Sequence, residues 1–389
     1  MSRIDELVEE HCPFGVPYQP LAELTKYVRG VTYSKSDERA VGPIRVLRSN
    51  NISLETNTLN FDDVKTVSEE VRVRADQHLL AGDILISAAS GSKAHIGKVA
   101  YVHEDLNCVF GGFMAVVRTH GTLDSRFLFH LLVGKNFSDY LAVTLNSTTI
   151  NNLGASSFGG FVVPVPPLEV QREIVRILDT FSELEAELEA ELEARRVQYE
   201  YYRDRMLALD KGPKDVVRKR LGDLVRIRNG KDHKNLADGP VPVYGSGGVM
   251  RYADTHAYDR PSVLIPRKGS LGNVLYVDVP FWTVDTMFYT EVDQAQVLSK
   301  FLYYFLLTIG LGNMNQAGGV PSQTQSVLNE MLIPVPPLQT QREIVAVLDN
   351  FDALVSDLSF GLPAELRTRR QQYEFYRDRL LTFKELPGE

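Results

Sequence analysis

The 389 residues are 44% apolar and 24% charged, enough for two or three domains with cores of their own and ordinary for a soluble globular protein. Two cysteines far apart, Cys12 and Cys108, argue against a thiolate zinc module and a disulfide framework and fit a reducing, cytoplasmic setting. The net charge of −8 speaks at first against nucleic acid, but it is unevenly spread: residues 1–160 carry −3, 161–210 carry −6, 211–330 carry +3 and 331–389 carry −2.

The N-terminus, Met1 to Glu10, is acidic and lacks a signal-peptide core. From about residue 15 to 160 the chain is mixed, with short apolar runs such as Asp83-Ile-Leu-Ile86 between Gly, Asn and Ser turns. Such runs read as strands, and Arg126–Val133 reads as a short buried helix. At 164–178 the sequence becomes Pro-Val-Pro-Pro-Leu-Glu-Val-Gln-Arg-Glu-Ile-Val-Arg-Ile-Leu. The proline pair resists helix, so a helix is expected to begin just after it. Its apolar positions, Ile174, Ile177, Leu178, Phe181, Leu184, Leu188, Leu192, Tyr199, Tyr202 and Met206, form a narrow stripe of the kind that seals helix to helix. A helix of about 40 residues would be roughly 60 Å long.

Residues 215–330 are mixed again and echo the first segment. Leu21…Gly30 aligns with Leu221…Gly230, Asp83–Ile86 with Ser262–Ile265, and Ile96–Val102 with Leu271–Val277. Val263–Ile265 and Val274–Val277 read as strands. The longest apolar run, Phe301–Gly312, is too short to span a bilayer, and Ser299–Thr308 reads as a buried helix. At 334–348 the earlier phrase returns as Pro-Val-Pro-Pro-Leu-Gln-Thr-Gln-Arg-Glu-Ile-Val-Ala-Val-Leu. Both helical segments close on a second shared phrase, Gln198–Arg205 and Gln372–Arg379. The offset between copies grows from 170 at the prolines to 174 at the tyrosines, so the second is four residues longer. That is an insertion of about one turn. Pro363 is expected to kink or restart the second helix. The first instead carries Leu-Glu-Ala-Glu in tandem from Leu184.

A duplication of this length predicts two equivalent halves rather than a solenoid. The expected fold class is α+β. Two α/β modules, residues 1–160 and 211–330, are joined by two long antiparallel coiled-coil helices, 161–210 and 331–389, with pseudo-two-fold symmetry. The two heads are expected at opposite ends of the helix pair. Duplex DNA has a matching backbone two-fold.

Candidate contact residues are basic or polar groups beside glycine turns. Arg226, Arg228, Lys231 and Lys234 cluster with His233 around Gly230; Tyr244 opens the run Tyr-Gly-Ser-Gly-Gly; Arg267, Lys268 and Ser270 surround Gly269. Such loops let backbone approach a phosphate, and arginine or lysine can reach phosphate or a guanine edge. Gln323, before the second helix, can read an adenine edge, and Thr148, before the first, can serve a phosphate. Ser92, Lys93 and Lys98 lie in Gly91–Val99, which has the wrong glycine spacing for a nucleotide loop and no metal-binding hydroxyl after Lys98. Each of these patterns is also compatible with a solvated or capped turn. Histidines are scattered without ligand spacing and paired glutamates lie on a solvated helix face, so neither a metal site nor intrinsic catalysis is expected.

The repeated Pro-x-Pro-Pro-Leu…Gln-Arg-Glu-Ile-Val…Leu-Asp phrase and the ends at Tyr199–Arg205 and Tyr373–Arg379 resemble the conserved regions of type I restriction-modification specificity subunits. Tyr244–Tyr289 resembles their target recognition domains, and the order of segments is the family's. The resemblance implies a non-catalytic subunit that binds a bipartite double-stranded DNA target. It would dock two modification (methyltransferase) subunits and, with them, restriction (translocase/endonuclease) subunits, away from any membrane. No cofactor is implied in this chain; the assembled complex would use S-adenosylmethionine, ATP and Mg. The Leu-Glu-Ala-Glu tandem resembles the central repeats that set the gap between half-sites in some members. The alternatives are a specificity subunit of a type IIB-like enzyme and a coiled-coil scaffold that binds no DNA.

Overall fold

A computed structural model describes residues 3–54, 56–90, 95–146, 152–209, 216–314, 321–356 and 361–387. The chain divides into two units, Met1–Glu187 with Arg367–Glu389, and Leu188–Leu366.

The first unit is built on a four-stranded antiparallel sheet, in the order Thr25–Arg29, Met114–Thr119, Ile84–Ser87, Val99–Tyr101. The central strands are apolar along Ile84–Ile86 and Met114–Val117 because these stretches face two cores. Ile84, Ile86, Ala115 and Val117 point into a helical layer with Phe127, Leu128, Phe137 and Phe158. Leu85, Met114 and Val116 point the other way, toward Leu47, Leu79 and Phe110 of a second sheet. Side chains alternate across a strand, so a run without polar positions fits a strand covered on both faces. The second sheet has five short strands, in the order Glu38–Arg39, Lys65–Val67, Ile44–Leu47, Leu106–Phe110, His78–Leu79. Helix Ser125–Val133 starts at Asp124, whose carboxylate accepts the amides of Arg126 and Phe127. This side-chain cap satisfies two otherwise orphan donors.

The second unit repeats the plan. Its sheet runs Val225–Asn229, Met287–Val292, Ser262–Pro266, Leu275–Val277, all antiparallel. Val263 and Ile265 face a helical core with Phe301, Leu302 and Tyr304, and Leu264 faces Phe281 and Met287 on the other side. Its second sheet has three strands, Gly248–Ala253, Val241–Gly245 and Trp282–Thr283. The sequence alignments of Leu21–Gly30, Asp83–Ile86 and Ile96–Val102 with their counterparts all agree with strand register: Ile84 pairs with Tyr101 as Val263 pairs with Tyr276. Gly30 and Gly230 occupy one place, where a Cβ would overlap the carbonyls of Phe110 and Gly111 or of Thr283 and Val284.

The prolines do what their chemistry requires. Helices Leu168–Leu207 and Leu338–Ser356 begin directly after the paired prolines, and the carbonyls of Pro167 and Pro337 accept the amides of Gln171 and Gln341. The first helix is unbroken for 40 residues. The second copy restarts as Gly361–Leu380, with Gly361 at φ 76°, a left-handed conformation that favours glycine. In the first unit the helices are antiparallel, since Phe181 stacks on Tyr376 while Glu185 pairs with Arg370 at 2.6 Å. The apolar stripe is only partly a seam. Ile174, Leu178, Leu192, Tyr199, Ile344 and Leu348 are buried, whereas Leu184, Tyr202, Val347, Leu354 and Tyr376 are exposed. The expected seam residue Leu358 lies outside the described residues.

Two polar anchors tie each helix to its module, and both come from the repeated phrases. Gln171 is fully buried; its Oε1 accepts the Asp124 amide at 2.8 Å and its Nε2 donates to the carbonyls of Thr122 and Pro166. Gln341 repeats the arrangement with the Leu298 amide and the carbonyls of Gln296 and Pro336. Asp179 receives Arg126 at 2.8 Å and His130 at 3.0 Å, while Asp349 receives Lys300 at 2.9 Å and the Tyr304 hydroxyl at 2.6 Å. Arg126 lies over the Tyr101 ring as Lys300 lies over Tyr276.

The two Asp anchors differ in what can titrate. His130 has no exposed surface, and its Nδ1 meets the Tyr373 hydroxyl at 3.1 Å. Burial holds its imidazole below the usual histidine range despite the hydrogen bond to Asp179, with the charges of Arg126 and Arg377 adding to the depression. Burial would raise Asp179, but His130 and Arg126 together outweigh it and keep the carboxyl below the usual range. A histidine whose folded pKa is depressed stabilises above its unfolded value of about 6.5 and loses that contribution as pH falls below it. Asp179 stays ionised across that window. The first unit is therefore expected to lose thermal stability as pH falls below about 6.5. His130→Tyr, which supplies the group that Tyr304 provides in the second unit, should flatten that loss. Thermal midpoints of the full chain at stepped pH check this; an unchanged slope in the variant refutes it.

Candidate nucleic-acid interface

In the second unit, five loops meet at one end of the main sheet. They follow the Val225–Asn229 strand, link Val241–Gly245 to Gly248–Ala253, follow Ser262–Pro266, precede Met287–Val292, and precede helix Gln325–Asn329. Backbone bonds fix them together. The Arg267 and Lys268 amides donate to the Thr286 carbonyl, Gly269 to Pro321, Lys231 to Thr283, and the Gln323 amide to the Arg267 carbonyl. Asn273 Nδ2 donates to the Ser246 carbonyl at 2.8 Å. Between the loops lies a cleft of about 670 Å³ lined by residues that include His233, Lys234, Ser246, Asp285 and Thr286.

The candidate residues fall into three groups. Lys231, Lys234, Lys268 and Ser270 are exposed on these loops. Asp232 helps to shape the first turn: its carboxylate accepts the Lys234 amide, and that bond, more than the nearby charges, keeps the acid below the usual range. Arg226 and Arg228 project from the same face of the Val225–Asn229 strand, short of the loop end. Arg228 is held by both oxygens of Glu291, at 2.9 and 3.2 Å. Arg267 is half-buried, with its guanidinium over the buried Phe288 ring.

Tyr244 and Gln323 are used by the fold. The Tyr244 ring packs edge-on against Phe281, and burial pushes its hydroxyl above the usual tyrosine range. Gln323 is 3% exposed and its amide donates to the Pro266 carbonyl, so it closes the loop and presents no edge to a base. This corrects its expected role: an amide that can read adenine can equally satisfy a buried carbonyl, and here it does. In the first unit, Lys98 borders a largely apolar groove with Ile96, Leu132, Phe137 and Leu141, and burial depresses its amine. Ser92, Lys93 and Thr148 lie outside the described residues.

Sequence reading missed the exposed face of the hairpin, where Val249, Met250 and Tyr252 stand out at 47–59% exposure. Their spacing around Gly247-Gly248 was the available signal. It also missed Gln171, Gln341, Asp179 and Asp349 as anchors, although all four stand inside the repeated phrases.

Comparison with known proteins bears on the whole chain. The family model for the type I restriction modification DNA specificity domain matches twice, over residues 16–194 and 213–368. A Haemophilus influenzae chain provisionally named a type I restriction enzyme specificity subunit is 28% identical over 401 residues, covering 95% of this chain and 96% of its own. A solved chain from work on complex assembly and conformational transition of the type I restriction-modification system superposes with a TM-score of 0.63 at 18% identity, covering 94% of this chain and 97% of that one. The S subunit of a type I system from M. genitalium gives 0.57 at 17% identity, covering 94% and 96%. These likenesses carry the fold: two mixed α/β modules and long helices. With both of its modules matched by the same model, the chain belongs to the type I restriction modification DNA specificity family.

Proposed function

We propose that the chain selects a two-part duplex DNA target, one half per unit, and serves as the platform on which a type I restriction-modification complex assembles. The observation that carries this reading is the duplicated frame, in which one hydrogen-bonding pattern presents a loop end in each unit. The exposed Lys231, Lys234 and Lys268 give the second unit's end the charge that duplex phosphates require. In such a complex two modification subunits would dock on the chain and restriction subunits would join them. The chemistry would be theirs, with methyl transfer to adenine from S-adenosylmethionine and ATP- and Mg-dependent translocation and cleavage. This chain would supply selection and geometry without a cofactor of its own. Among the described residues no helix is long and apolar enough to cross a membrane.

The test is salt-dependent binding to a duplex that carries the host's methylated motif, with the modification subunit present. Lys268→Ala should weaken binding on all sequences and lower the salt slope by about 1. Arg267→Ala should cost about 1–3 kcal/mol at one base position if the guanidinium leaves Phe288 to read a guanine. Binding without any salt slope would overturn the reading.

A further inference from the structure

The hydrogen bonds of the two units can be laid over one another residue by residue. Phe113 O accepts the amides of Ala88 and Ala89, as Thr286 O accepts those of Arg267 and Lys268. Gly111 donates to Leu47 and accepts from Met114, as Val284 donates to Tyr244 and accepts from Met287. Ala89 bridges to Asn152 as Lys268 bridges to Ser322. Leu153 donates to Ala88 as Gln323 donates to Arg267. The correspondence assigns the first unit's loop end without any sequence match there. It also shows a substitution of chemistry. Where the second unit has Arg267, Lys268 and Thr286, the first has Ala88, Ala89 and Phe113.

Phe113 is 74% exposed. It occupies a four-residue turn, Gly111–Met114, closed by the 2.7 Å bond from the Met114 amide and held again by two amides on its own carbonyl. Its backbone is thus fixed while its ring packs into no core among the described residues. Thr32 and Arg48 flank the turn. Arg48 is paired with Asp63 at 2.7 Å, and Arg29 is bonded to the Asn152 side-chain oxygen at 2.9 Å. A solvent-facing aromatic on a fixed turn, with the small, partly exposed Ala89 beside it, suits a duplex that comes close and offers base faces or thymine methyls.

We infer that Phe113 is a specificity-determining residue of the first unit, contacting bases by apolar packing or insertion where the second unit uses charge. The inference rests on the DNA-recognition reading. It explains how a unit of net charge −3 over residues 1–160 gains affinity at a loop end without the basic pair.

The experiment uses the full chain with its modification subunit and a duplex bearing the methylated motif mapped in the host. Phe113→Ala should weaken binding about tenfold, as loss of a base-stacking aromatic does. The salt slope should stay unchanged, because no phosphate contact is lost. Phe113→Trp should retain most of the affinity. Methylome sequencing of the alanine strain should show relaxation or loss confined to one half of the motif. Thermal midpoints of both variants should match the parent, since the ring is outside every core. If the parent binds and Phe113→Ala binds equally with an unaltered motif, the assignment is overturned and the DNA reading stands. Alanine that abolishes co-elution of the modification subunit while DNA affinity persists would overturn it in favour of a protein contact. A parent that fails to bind the duplex would sink the DNA reading and this inference together.

Discussion

Gln171→Ala is expected to unfold the first unit at a markedly lower temperature, and Gln341→Ala to do the same to the second. Each glutamine is fully buried and serves one amide and two carbonyls. Alanine leaves those three backbone groups without partners. A buried unsatisfied group costs about 1–3 kcal/mol, so a total of roughly 3–5 kcal/mol is expected even if water repairs part of the loss. For units of this size that is a drop of about 6–20 °C. Gln339→Ala is the control. Gln339 is exposed and bonds Glu343 at 2.9 Å, an i,i+4 pair worth a few tenths of a kcal/mol. Calorimetry of the three variants decides the matter. Equal midpoints for Gln171→Ala and Gln339→Ala would show that the buried anchor contributes nothing special.

Deleting Leu184–Glu187 is expected to keep both half-sites and shorten the unread gap of the target by one base pair. The four residues lie inside the unbroken Leu168–Leu207 helix. Their removal brings Glu189 to the place of Glu185, so an acid again faces Arg370, which Glu185 now holds at 2.6 Å. Leu184 is exposed, so its loss opens no core. Four residues shorten the helix by about 6 Å and turn its far part by about 40° beyond a whole turn. One base pair of B-DNA turns by about 34–36°. The rotation nearly matches, while the 6 Å translation exceeds the rise of about 3.4 Å per base pair, so some relaxation of the helices must follow. Methylome sequencing of the deletion strain reads the spacer directly. Retained methylation with an unchanged spacer would show that the tandem is only a solvated stretch of helix.

What the sequence by itself determined was whatever repeats or is forbidden. The duplicated phrases, the helix starts after paired prolines, the strands aligned through Leu21–Gly30 and Asp83–Ile86, and the break near Pro363 all follow from backbone chemistry and period. The fold class and the family were legible for the same reason: two copies of one phrase constrain each other. The tertiary structure alone decided how individual side chains are used. Tyr244 and Gln323 have the chemistry of readers, but the fold uses the ring of one, packed on Phe281, and the amide of the other, bonded to the Pro266 carbonyl. Leu184 and Leu354 stand in the apolar stripe, yet each is exposed, because burial depends on what packs opposite a residue and not on its place in the period. His130 and Tyr304 share no chemistry in the sequence, yet both lock onto a repeated aspartate. Phe113 could not be matched to Thr286 by residue type. Only the hydrogen-bond frame pairs them, because backbone bonds persist where side chains differ.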